Sequence, residues 1–399
     1  MVDRRRFLLQ AGAAGLAPAL LDATPASAPA PVRTSLDAAL VLSGGGARGA
    51  YEAGIIWSLA RKAGVRDGQV LPPYQIVCGS SIGALNGWFV ATGQYSKLAD
   101  VWHTIGSENL LRLKPKFEKI PVESAGVVSR LADALRLIGL SKNDRGVAES
   151  SPVLAWMHRE VDPRMPLLMP LVWAVTDLNL QQPEYFYRLP AWVTAPPDYI
   201  FAALRLTVGP HVVVREATDE LLHRALLASS AIPFVFDPVE LPGKTGAIRS
   251  YVDGGVASNS PIGIARTIAR SVDVILLDPR EETNDLPNAV EVGVAAFRTM
   301  QRKILESEFQ QAYFTSFAIQ ELRRIAPDAL ARVATDSPVL GTFLERIPVT
   351  EFAYMRPEST LPVGVGGFDD QENIGKTFDL GVADAEKPFT PYDWATFEY

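Results

Sequence analysis

Three short strings in this sequence carry side chains and backbone turns able to do chemistry together. The first is Ser43-Gly44-Gly45-Gly46-Ala47-Arg48-Gly49, the second Gly79-Ser80-Ser81-Ile82-Gly83, and the third Asp253-Gly254-Gly255. They supply an anion-binding turn, a serine and a carboxylate. Those three parts define acyl transfer to water, with Ser81 as nucleophile and Asp253 as proton acceptor.

Gly79 to Gly83 fits Gly-x-Ser-x-Gly with Ser81 at its centre, a pattern that has meaning only between a strand and a helix. Residues 74–78 read as a short buried strand, and a helix can begin at Ile82. Such a turn forces the serine into a sparsely populated backbone conformation, and Gly79 and Gly83 remove the Cβ atoms that would clash. The N-terminus of the following helix then aims free N–H groups toward the serine oxygen.

The first string also satisfies G-x-G-x-x-G, so a dinucleotide site has to be weighed. That reading needs an acidic residue at the end of the next strand. The next strand ends in Cys78-Gly79-Ser80, and Asp67 precedes it. The better reading is a backbone cradle for an oxyanion, with Gly45, Gly46 and Ala47 as donors. Arg48 either holds that loop or adds positive charge, while Gly44 and Gly49 frame it.

Histidines decide how the carboxylate is used. The chain has four, His103, His158, His211 and His223, and none follows Asp253. The order Ser, acid, His of α/β-hydrolases is therefore impossible with this acid. A triad of Asp177 with His211 or His223 is conceivable but lacks a motif. The economical arrangement is a Ser81–Asp253 dyad, in which the aspartate takes the serine proton and returns it to the leaving group.

In these residues the chain resembles the patatin-like phospholipases. The resemblance rests on the three strings in their order, on Ala228-Ser229-Ser230-Ala231-Ile232-Pro233-Phe234, and on Ala174-Val175-Thr176-Asp177-Leu178, and it covers roughly residues 36 to 290. It implies Ser81 as nucleophile, Asp253 as base and the glycine loop as oxyanion hole. Many members carry Asp before the triple glycine where this chain has Ser43, a position that is not catalytic in the family.

The elements that must position these residues alternate between strand and helix. Strands are expected at 38–43, 74–79, 170–177, 184–189, 248–253 and 272–278. Helices are expected at 47–62, 82–92, 96–105, 217–228, 262–270, 287–305 and 309–325. This predicts a three-layer α/β fold, a mostly parallel central sheet flanked by helices, with the site at the carboxyl edge of the strands. The expected organisation is a catalytic domain over 36–290 and a C-terminal helical extension, 291–399, packed on it. Alternation breaks across 107–157. That stretch reads as two helices packed on the sheet, with a lid or lipid-contacting surface as the other option. The tail from 363 reads as a closing segment without chemistry.

Asp3-Arg4-Arg5-Arg6-Phe7-Leu8-Leu9 resembles a twin-arginine export signal, followed by a mildly apolar stretch too short to span a bilayer. Residues 1–28 are thus expected to be a signal peptide and 29–35 a Pro/Ala linker, making the protein periplasmic or secreted, with an uncleaved anchor as the alternative. The single cysteine, Cys78, permits no internal disulfide and reads as inert core. No metal-binding pattern is visible and the proposed chemistry needs no cofactor. A net charge of −7 over 399 residues argues against nucleic-acid binding and against docking on anionic lipid by charge alone. The expected partner is a lipid ester, with transient contact at a membrane surface. The alternatives are a carboxylesterase acting on small soluble esters and a non-catalytic lipid-binding protein on the same scaffold. Oligomeric state, head-group choice and acyl-chain choice have no signal in the sequence.

Overall fold

In the computed structural model, residues 36–107, 110–115, 145–193, 212–281, 289–325 and 349–393 are described, with 328, 332, 335–337 and 397. All belong to one compact unit, Ser35–Tyr399. The expected signal peptide, the linker and His211 lie outside the described residues, as does most of the expected helix pair within 107–157.

The strands, in chain order, are β1 Leu36–Leu42, β2 Tyr74–Ser80, β3 Gly146–Ala148, β4 Leu171–Asp177, β5 Gln182–Arg188, β6 Val213–Glu216, β7 Phe234–Phe236, β8 Val239–Pro242, β9 Ile248–Asp253, β10 Ala269–Ile275, β11 Glu351–Met355 and β12 Thr390–Pro391. The helices are α1 Gly49–Lys62, α2 Ile82–Ala91, α3 Tyr95–Thr104, α4 Ser151–Glu160, α5 Leu222–Ser229, α6 Ile262–Ile268, α7 Ala289–Ile325 and α8 Gln371–Asp384.

The main sheet runs β12-β11-β10-β1-β2-β4-β5-β6, with β9 on β4 and β8 on β9. From β11 to β4 every pairing is parallel. Consecutive residues of β1 serve opposite faces: Ala38, Leu40 and Leu42 enter one core cluster, Ala39 and Val41 the other. The first cluster is closed by α1, α2, α3, α5 and α8, the second by α6 and α7. A strand with both faces covered must be apolar throughout, which is why β1 reads as an unbroken apolar run. Among the described residues no helix is long and apolar enough to cross a membrane.

Residues after 291 are more than a helical extension. β11 joins the parallel sheet beside β10, with Ser271 opposite Glu351 and Ile275 opposite Met355. The two helices expected at 287–305 and 309–325 form one helix, α7. The closing tail holds α8, which packs on α1 so closely that a Cβ on Gly54 would stand 2.1 Å from the Phe378 carbonyl oxygen. Tyr51 Oη completes that contact by donating to Asp384 Oδ2 at 2.9 Å. The expected helix at 217–228 begins later, at Leu222, because Ala217 still extends the β6 pairing by donating to Tyr187 O at 2.9 Å.

Candidate active site

Ser81 caps α2 with φ 52° and ψ −124°. A non-glycine residue in this region is strained by about 1–3 kcal/mol. Neighbouring contacts hold it there. A Cβ on Gly79 would lie 2.4 Å from Gly83 O, and one on Gly83 would lie 2.3 Å from Leu42 O, so both flanking positions must be glycine. Ser81 N donates to Ser229 Oγ at 2.9 Å, and Ser229 Oγ donates to Ala174 O at 2.6 Å. The end of α5 is thereby tied to both the Ser81 turn and β4.

β4 brings the acid to the serine. The first half of β4 pairs with β2, placing Ser80 opposite Ala174. Its second half pairs with β9, placing Asp253 opposite Val175. β9 runs antiparallel to β4, so the carboxyl ends of β2 and β9 meet end to end at adjacent positions of one strand. Ser81 Oγ donates to Asp253 Oδ2 at 2.6 Å. Asp253 Oδ1 accepts the Gly255 amide at 2.7 Å, where Gly254 and Gly255 open a single 3₁₀ turn. Asp253 N donates to Ala231 O at 2.9 Å, and Thr176 Oγ1 donates to Asp253 O at 2.9 Å. Burial pushes the Asp253 carboxyl up to about 6, while the bonds from Ser81 and Gly255 pull the other way. A carboxylate with that value is roughly nine-tenths ionised at pH 7 and is still basic enough to take a proton.

The glycine loop lies against the serine: a Cβ on Gly44 would stand 3.1 Å from Ser81 Cβ. Its amides are not equivalent. Gly44 N donates to Asn259 O at 3.0 Å, Ala47 N to Val365 O at 2.9 Å, and Arg48 N to Gly45 O at 3.3 Å. The expected donors Gly45, Gly46 and Ala47 are corrected on this point, because the tail of the chain occupies the Ala47 amide, and the Arg48 amide, turned onto Gly45 O, is not open to an oxyanion either. Gly45 and Gly46 are the loop amides that have no hydrogen-bond partner among the described residues. Gly46 sits at φ 57°, and a Cβ there would meet Val365 O at 2.1 Å. Arg48 is buried, with Nη1 3.9 Å from Asp278 Oδ1, an arrangement that braces the loop. Gly49 opens α1 against Ile82 and Trp102.

Three contributors were given no role by the sequence reading. Ser229 supports the Ser81 turn, and Val365 closes the glycine loop. Asn259 clips the glycine loop to the acid's turn, with Nδ2 3.5 Å from Gly44 O and Oδ1 accepting from Gln301 Nε2 at 3.4 Å. The neighbouring Ser43 and Ser260 hydroxyls lie 2.6 Å apart, a side-chain link between the glycine loop and the segment after the acid's turn. Behind the loop, Glu52 is buried and takes a bond from Asn86 Nδ2 at 2.7 Å. Burial raises its carboxyl well above the usual range, outweighing the Asn86 and Ser43 bonds.

The histidine alternative is not assembled from the described residues. Asp177 caps Asn179 N at 2.8 Å and Leu180 N at 3.0 Å and pairs with Arg249 at 3.1 Å. His223 Nε2 lies 2.7 Å from Val161 O, with its ring 4.1 Å from that of His158. Cys78 is buried, which pushes its thiol up to about 12 and removes it as a nucleophile.

The family model for patatin-like phospholipases matches residues 40–266, more than half of the chain. Over 82 residues the sequence is 39% identical to YqhO of Bacillus subtilis (strain 168), covering 20% of this chain and 28% of that protein. The chain thus matches less than a third of that relative's length. A solved structure, VipD from Legionella pneumophila, superposes with a TM-score of 0.34 at 12% identity, over 90% of this chain and 68% of that one. A likeness at that level adds nothing to the assignment.

Proposed function

We propose that this chain, which belongs to the patatin-like phospholipase family, hydrolyses carboxyl esters of lipids with Ser81 and Asp253 as a two-residue catalytic unit. Family membership implies lipid acyl hydrolase activity. One observation carries the finer reading: the 2.6 Å hydrogen bond from Ser81 Oγ to a buried Asp253, with Ser81 held at φ 52°.

The steps follow from that geometry. Asp253 accepts the Ser81 proton as Oγ attacks the ester carbonyl carbon. The carbonyl oxygen becomes an oxyanion that the Gly45 and Gly46 amides stabilise. Collapse of the tetrahedral species breaks the bond to the leaving alcohol, which takes the proton from Asp253. Water then gives a proton to Asp253 as it attacks the acyl-serine. The second tetrahedral species releases the carboxylic acid, and Ser81 regains its proton. Asp253 needs no histidine relay because its oxygen already touches the hydroxyl.

Two measurements test this reading. An alkyl fluorophosphonate should label Ser81, located by mass spectrometry, and labelling should abolish fatty-acid release from phosphatidylcholine vesicles. Release that continues after complete labelling would sink it. Hydrolysis of soluble short-chain esters with no action on vesicles would favour the carboxylesterase alternative. Export by a twin-arginine route belongs to the same proposal, supported by Arg4, Arg5 and Arg6 before the apolar stretch. Replacing all three by Lys should leave the enzyme in the cytoplasmic fraction, and unchanged export would remove that part.

A further inference from the structure

Three non-glycine residues adopt positive φ among those described: Ser81 at 52°, Gln181 at 55° and Phe234 at 68°. Ser81 is the nucleophile and Gln181 tips the exposed turn between β4 and β5. Phe234 has neither excuse. A bulky side chain in this region is a conformational outlier, and burial does not compensate for it. The ring is 66% exposed, whereas the next residues, Val235 and Phe236, are 8% and 5% exposed. The fold therefore carries both backbone strain and apolar surface in water at one position.

That position lies on a segment bonded to the backbones of both dyad residues. The segment from Ser229 to Phe236 touches both reacting residues, through Ser229 Oγ on Ser81 N at 2.9 Å and Ala231 O on Asp253 N at 2.9 Å. Ile232 O then accepts Val235 N at 3.2 Å and Phe236 N at 3.0 Å. β7 pairs with β3, Gly146 opposite Phe234 and Ala148 opposite Phe236. Phe234 is three positions beyond Ala231, so the two Cα atoms lie within about 11 Å of each other. An extended acyl chain covers a similar span in roughly eight bonds.

We propose that Phe234 is the acyl-chain contact at the mouth of the Ser81–Asp253 site and makes the enzyme selective for long acyl groups. This rests on the hydrolytic reading above. Backbone outliers cluster at active sites and ligand clamps, where strain serves function, and this one lies on the segment bonded to the backbones of Ser81 and Asp253. The ring gains what it lacks in the free protein when a hydrocarbon chain covers it.

The test compares kcat/KM on p-nitrophenyl butyrate and dodecanoate for wild type, Phe234→Gly and Phe234→Leu. In Phe234→Gly the dodecanoate-to-butyrate ratio should fall about tenfold, the value of roughly two buried methylene groups. Phe234→Leu should keep most of it. The Tm of Phe234→Gly should equal or exceed that of wild type, because glycine adopts positive φ without strain. A structural role predicts the opposite, a lower Tm with both esters losing rate together, and that result overturns the proposal. An unchanged ratio overturns it too. Ile325→Ala, a similarly exposed residue at the end of α7, should leave the ratio alone. Binding separates this proposal from the hydrolytic reading. In a Ser81→Ala background, Phe234→Gly should weaken binding of monomeric dodecylphosphocholine about tenfold by calorimetry. Hydrolysis that survives Ser81→Ala defeats the dyad but not the contact. An unchanged Kd defeats the contact.

Discussion

Two serine–carboxylate pairs in this molecule have the same hydrogen-bond length and different properties. Ser81 Oγ meets Asp253 Oδ2 at 2.6 Å, and Ser258 Oγ meets Glu308 Oε1 at 2.6 Å. Both carboxylates are raised by burial, Asp253 to about 6 and Glu308 to about 8. Asp253 has both oxygens engaged, by Ser81 and by the Gly255 amide. Glu308 leaves Oε2 buried and unpartnered, so its charged form is less well supported despite the Ser258 and Ser260 bonds. At neutral pH one acid is mostly ionised and the other mostly protonated. Ser81 also has a strained backbone, which Ser258 lacks, and an adjacent loop with two amides that have no partner among the described residues. The short bond to a carboxylate is therefore common to both serines and does not by itself single out the proposed nucleophile. An ionised base and donors for the developing oxyanion are needed as well.

The sharpest break of this comparison is at the serines. Ser81→Ala should lower ester turnover by about 10⁴-fold or more, while Ser258→Ala should change it by less than about threefold, the scale of a surface or support residue. Equal losses would erase the distinction. Next comes the acid. Asp253→Asn should cost about 10³-fold in kcat, the general-base contribution, and should raise stability at pH 7. The folded pKa of Asp253, about 6, exceeds its unfolded value, so its contribution is intact below about pH 4 and is lost as pH rises to about 6. Asparagine does not titrate, so its advantage should grow across that window, to about 3 kcal/mol at most. A Tm difference independent of pH would contradict the shift.

The glycine loop follows. Gly46→Ala brings a Cβ to 2.1 Å from Val365 O, and displacing one oxyanion donor should cost about 10²-fold in kcat. A fully active variant would move the oxyanion site elsewhere. A smaller effect is the pH profile of kcat/KM. It should rise about tenfold from pH 5 to pH 7 and then level off, following ionisation of Asp253. Glu308→Gln should leave that limb in place and alter kcat by less than about threefold. Its signature is in stability: wild type should weaken relative to Glu308→Gln as pH rises from about 4.5 to about 8. A displaced rate limb in Glu308→Gln would make the second pair part of the machinery.

Much of the site was legible in the sequence because its parts are short-range. A strand, a glycine-flanked serine and a helix start occupy consecutive residues, and the clashes that demand Gly79 and Gly83 come largely from that turn and its neighbour strand. The absence of any histidine after Asp253 is likewise read by inspection. Less legible were the supports. Ser229 at the end of α5 and the loop residues Asn259 and Val365 show no part in the site until the fold brings them to it. The tail from 363 offered no chemistry to a sequence reading, yet Val365 decides which loop amides remain available, and α8 locks the helix that follows the loop.

The sequence alone determined the layered α/β architecture and pointed to the serine, glycine loop and acid of the proposed site, since each depends on local periodicity or on residue types within a few positions. Only the tertiary structure decided how they meet. β4 splits its edge between parallel β2 and antiparallel β9, so Ser80 and Asp253 fall opposite consecutive residues, Ala174 and Val175. That register is a property of the whole sheet, in which a shift of one residue would turn the Asp253 side chain to the other face and away from Ser81.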